Sequence, residues 1–83
     1  MSKRKSFRIS VTRKNDVLLT QRFTALDNEE LERVLWSVFK TDFDNAVMAL
    51  NVCGLQVTVH NGNHSKMVCC FDDVSQFVGL WEG

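Results

Sequence analysis

The chain has 83 residues, 45% of them apolar, and ten Lys and Arg balance ten Asp and Glu to a formal net charge of zero. That length makes one domain with a thin stability margin, and the composition excludes a disordered or low-complexity segment. The longest apolar run, Ala46 to Leu50, is far below the roughly 20 residues that span a bilayer, and an odd count of three cysteines makes no disulfide framework.

Charge is distributed unevenly. Lys3, Arg4, Lys5, Arg8, Arg13 and Lys14 fall within the first fourteen positions with no acid among them, so that stretch carries +6 and the other 69 residues −6. Residues 1–6 read as a flexible basic arm ahead of a single α+β domain over 7–83. No apolar stretch follows the basic start, as a secretory leader requires, so a reducing cytoplasm is the expected location. Phe7, Ile9 and Val11 alternate with Arg8, Ser10 and Thr12, the period-2 pattern of a half-buried strand over about 6–13. Val17, Leu19 and Phe23 continue it in a second strand over about 17–24, which makes a hairpin. A three-residue loop keeps both apolar sets on one face and is the expected turn.

Asp27 and Glu30 then form a capping box, with Leu26 and Leu31 at the staple positions. Leu31, Val34, Leu35, Val38 and Phe39 follow helical spacing. Thr41-Asp42-Phe43-Asp44 signals a second N-cap, and a helix from Asp42 to about Asn51 buries Phe43, Ala46, Val47 and Leu50 before Gly54 stops it. Leu55 to His60 is a third strand. Its partner is Lys66 to Phe71, with Val59 facing Met67, Val57 facing Cys69, and Gly62-Asn63-His64 as the loop. Asp72 or Asp73 caps a final helix carrying Val74, Phe77, Val78 and Trp81. The order β-β-α-(α)-β-β-α suits an antiparallel sheet, or two, with helices packed on one face.

Little in this pattern suggests chemistry. Cys53, His60, His64, Cys69 and Cys70 lie close in sequence, but there is no Cys pair at zinc spacing, and the expected register turns Cys69 inward and Cys70 outward. Cys53 and Cys69 are expected as buried hydrophobes, and no metal or cofactor is expected. The same register keeps His60 away from the Cys70 thiol, so a thiol–imidazole nucleophile is not assembled. The sequence contains no phosphate loop, serine-hydrolase elbow or metalloprotease helix. A non-enzymatic role is the expectation.

Two binding roles remain. Trp36 lies roughly 120–140° off the apolar face of its helix, among charged neighbours, as an interface anchor would. The other outcome is that the final helix, or Trp81, covers it. An exposed Trp36 with Glu29, Glu32, Asp42 and Asp44 suits an inhibitor or adaptor that occludes a site on a larger protein or nucleic-acid-handling complex. Small phage or mobile-element proteins that block host defence are analogous in size and style. The second role is a nucleic-acid accessory protein holding phosphates through Lys3, Arg4, Lys5, Arg8, Arg13 and Lys14. A homodimer through a sheet edge or the Trp36 flank is the third arrangement to test.

Overall fold

A computed structural model of the chain describes residues 4–80. The elements run β1 (Lys5–Arg13), β2 (Asp16–Ala25), α1 (Asn28–Phe39), α2 (Phe43–Val52), β3 (Gln56–Asn61), β4 (His64–Val68) and α3 (Phe71–Leu80). Both hairpins belong to one antiparallel sheet of order β2-β1-β3-β4. Its central seam sets Ile9 against Val59 and Val11 against Val57. These side chains, with Phe7 and Val68, face Leu31 and Leu35 of α1, Phe43 and Val47 of α2, and Val74 and Val78 of α3. Burying each such aliphatic side chain stabilises the fold by about 1.5–3 kcal/mol. All three helices therefore cover one face, and the other face stays open.

Local signals explain the helix limits. The Asp27 carboxylate accepts the Glu30 amide at 2.9 Å, which satisfies an orphan donor of α1, and the Glu30 carboxylate accepts the amide of Leu26, just before the cap, at 2.7 Å. Lys40 turns left-handed at φ 61° and closes the helix on the Trp36 carbonyl. After α2, Gly54 takes φ 80°. Its amide reaches the Asn51 carbonyl while the Leu55 amide reaches Leu50, the paired bonds of a Schellman stop. α3 begins at Phe71, ahead of the expected cap, so Asp72 and Asp73 lie in its first turn. Asp73 reaches back to the Cys69 amide at 3.0 Å. That bond, above all, holds the Asp73 carboxyl below its usual range.

Both turns differ from expectation. Arg13 pairs with Asp16 around a two-residue Lys14-Asn15 loop, and parity is restored by a bulge at Leu18, since Thr12 pairs with Val17 but Val11 with Leu19. A bulge corrects the facing within a strand as well as a longer loop does, and the apolar alternation alone does not choose between them. The second hairpin closes tightly at Gly62-Asn63, with Asn61 opposite His64, Val59 opposite Lys66 and Val57 opposite Val68. Gly62 sits at the first loop position with φ 57°, as a type II′ turn asks. The short turn overrides the count of apolar pairs and sends Met67 to the open face. Lys66 is tolerated inward because an edge strand lets its ammonium reach water. In consequence Cys69 is exposed rather than buried; Cys53 is exposed as well, and Cys70 is half-buried.

Candidate functional site

The outward stripe of α1 carries the residues singled out for partner binding. Trp36 is 54% exposed, so among the described residues nothing covers it fully; Trp81 lies outside them. Glu29, Glu32, Arg33 and Lys40 are exposed beside it at helical spacing. Glu29 lies 3.8 Å from Arg33, so this rim carries both signs and is less acidic than Glu29 and Glu32 alone suggest.

Asp42 and Asp44 are engaged elsewhere. Asp42 caps α2 by accepting the Asn45 amide at 2.9 Å. Asp44 accepts the Phe71 amide at 2.7 Å and so ties the start of α2 to the start of α3. Neither carboxylate joins the Trp36 stripe through any of these bonds.

The basic residues are spread along the molecule. Lys3 lies outside the described residues. Arg4 donates to the Thr24 hydroxyl at 3.0 Å and its carbonyl at 3.3 Å, and it pairs with Glu30 at 2.9 Å. The Leu26 amide and then Arg4 hold the Glu30 carboxyl below its usual range. Lys5 and Ser6 already belong to β1, two positions that the sequence assigned to the arm. Arg13 and Lys14 sit at the hairpin tip, roughly 20 Å along the strand from Arg8.

A different set converges on the open face of the sheet. Arg8 stands directly opposite Arg22 on one side and His60 on the other, and His60 stands opposite Ser65. Residues directly opposite in an antiparallel pair point to the same face, so Arg22, Arg8, His60 and Ser65 form one row across all four strands. The adjoining rows hold Ser6 with Thr24, and Thr20, Ser10, Thr58 and Met67. No Asp or Glu occurs in these rows. The Arg8 Nε is buried and has no hydrogen-bond partner. Burial first and the Arg8 charge second push the His60 imidazole below its usual range. An open groove of about 600 Å³ at this end of the sheet is lined by Arg8, Arg22 and His60, with Ser6, Thr24 and Asn61 among their neighbours.

Arg22 was not singled out in the sequence, and His60 was weighed there only as a metal ligand or as a base for Cys70. Their signal is parity: in this numbering the open-face residues of β1, β3 and the later part of β2 are even. Arg22 was accessible from the first hairpin alone. His60 required knowing that β1 and β3 are neighbours, which no local pattern states.

A second groove, about 500 Å³, is lined by Met48, Val52, Asp44, Asn51, Cys69 and Cys70. It holds the Cys69 and Cys70 thiols beside the Asp44 carboxylate, with no imidazole in its lining. No cluster of three or more His, Cys, Asp or Glu with metal-holding geometry occurs among the described residues. No helix among them is long and apolar enough to cross a membrane. No protein-family model matches this chain, and no curated protein or solved structure does either.

Proposed function

We propose that this protein is a non-enzymatic binding module that docks on a larger protein through the outward stripe of α1 and occludes the surface it covers. The observation that carries this reading is Trp36, half in water at the centre of a stripe rimmed by Glu29, Glu32, Arg33 and Lys40. A large aromatic within a charged rim is the composition of an interface hot spot. The indole supplies apolar area and a slow off-rate, and the rim sets orientation and encounter rate. Asp42 and Asp44 act within the fold, capping α2 and bracing α3, and the contact set contracts to Glu29, Glu32 and Trp36.

The test compares wild type with Trp36→Ala as baits in nuclease-treated bacterial lysate, followed by titration of the captured protein. A stoichiometric partner retained by wild type and released by Trp36→Ala, with unchanged thermal stability, supports docking through the indole. Equal retention by both baits refutes it. A loss of stability of the size seen for buried aromatics, about 3–5 kcal/mol, also refutes it by making Trp36 a core residue.

A further inference from the structure

We infer that the open face of the sheet is a phosphate-binding site formed by Arg8, Arg22 and His60. The inference does not depend on the α1 stripe, which lies on a different element.

Three observations lead to it. First, Arg8 and Arg22 are placed directly opposite each other. Like charges at that position destabilise a strand pair, and among the described residues neither guanidinium has a carboxylate partner. Second, the Arg8 Nε is buried and unsatisfied, a cost that folded proteins rarely leave standing without a ligand or water. Third, Ser6 and Thr58 place hydroxyls in the adjoining rows, and no Asp or Glu occurs in the Arg8 row or in those rows to repel an anion. A sequence that breaks local rules at one spot, while keeping them elsewhere, tends to do so at a functional site.

An oxyanion relieves the like-charge pairing and uses the donors that surround it. Its negative charge offsets the Arg8–Arg22 repulsion, and its oxygens accept from the guanidinium forks. A dianionic inorganic or monoester phosphate also favours a protonated His60, which would donate a third bond. A planar carboxylate is the poorer fit, since the tetrahedral phosphate lets two guanidinium groups and an imidazole approach its oxygens from different directions. The open face shows no row of aromatic side chains for base stacking, so recognition is of the phosphate group and not of bases. That phosphate comes either from a single-stranded nucleic-acid backbone or from a small phosphorylated molecule.

The test has two arms. In the first, inorganic phosphate is titrated into the isotope-labelled protein against chloride at equal ionic strength, following the Arg8 Nε–H and His60 imidazole resonances. In the second, a fluorescein-labelled single-stranded deoxythymidine dodecamer is titrated by anisotropy. Arg8→Gln and Arg22→Gln are each compared with Arg13→Gln, which removes one charge at the distant hairpin tip. Exposed Arg22 serves if the half-buried Arg8 variant unfolds.

The expected result is saturable shifts at Arg8 and His60. Affinity should fall at least about tenfold in either site variant and change less than about twofold in Arg13→Gln. Oligonucleotide binding tighter than phosphate, with a log–log salt slope of about −1.4 to −2, identifies a nucleic-acid backbone engaging two or three cations. Saturation by phosphate without competition from the oligonucleotide identifies a small phosphorylated ligand. Absence of saturable binding in both arms overturns the inference. So does an equal loss in Arg13→Gln, because net charge alone would then explain the binding.

Discussion

Replacing Asp44 by Ala isolates one bond that joins two helices distant in sequence. The Asp44 carboxylate accepts the Phe71 amide, the first orphan donor of α3, at 2.7 Å. It also stands in the first turn of α2. Losing a capping acceptor costs about 0.5–2 kcal/mol, and losing an acid near a helix N-terminus adds about 0.3–1 kcal/mol. Asp44 is exposed, so water takes up the freed amide and the sum stays near the lower half, about 1.5 kcal/mol. For a domain of this size that is a fall in Tm of roughly 6–12 °C. Urea unfolding by circular dichroism, with amide exchange at Phe71, measures both the energy and its location. Asp44→Asn retains an oxygen acceptor and should recover about half of the loss, while Glu29→Ala, outward on α1, should stay within about 0.5 kcal/mol of wild type. If Asp44→Ala behaves like Glu29→Ala, or Asp44→Asn is as damaging as Asp44→Ala, the bracing role is refuted. Asp44 is then a free surface acid available to a partner.

Three further outcomes are expected. Gly54→Ala places a Cβ where no atom lies within 4 Å, so its cost is the left-handed backbone alone, about 1–2 kcal/mol by denaturation, and Gly54→Asn should cost less. Arg22→Gln relieves the repulsion with Arg8 and should raise stability by about 0.2–1 kcal/mol at low salt, with the gain shrinking as salt is added. His60 faces Arg8 on β1 and Ser65 on β4, and its folded pKa lies below the unfolded value, so the unfolded chain takes up the proton first. Its contribution is thus present above the ordinary imidazole pKa and is lost as pH falls through that value to the folded one. Wild type should lose more urea resistance than His60→Gln over that window, and parallel losses would contradict the assignment.

What was legible in the sequence follows the range of each signal. Caps and stops act within a few residues, so Asp27 with Glu30, Asp42 and Gly54 set the helices where the structure has them. Alternation revealed both hairpins and the inward side of β1. It did not reveal register, because a two-residue turn with a bulge at Leu18, or a tight turn at Gly62, satisfies alternation as well as the longer loops do. The exposed Cys69 thiol follows from that one-residue difference. The open-face row was hidden for a deeper reason: Arg8 and His60 meet only through the order of strands in the sheet. Trp36 was identified by helical phase alone, and its exposure agrees with that phase.

The sheet order also has a consequence for how the chain reaches its fold. The two middle strands are the first and the third to be made, and their partners lie roughly fifty positions apart, a closure that costs entropy before any contact repays it. Each hairpin and each helix is local and can form in microseconds, whereas the β1–β3 seam must wait for the rest of the chain. Substitutions at Ile9 or Val59 should therefore slow folding, and those at the hairpin tips should mainly speed unfolding. A chain halted before Gln56 holds β1, β2, α1 and α2 but leaves the inner edge of β1 unpaired. Pairing with a second copy is the cheapest way to cover it, which makes synthesis the stage at which this protein is most exposed to aggregation.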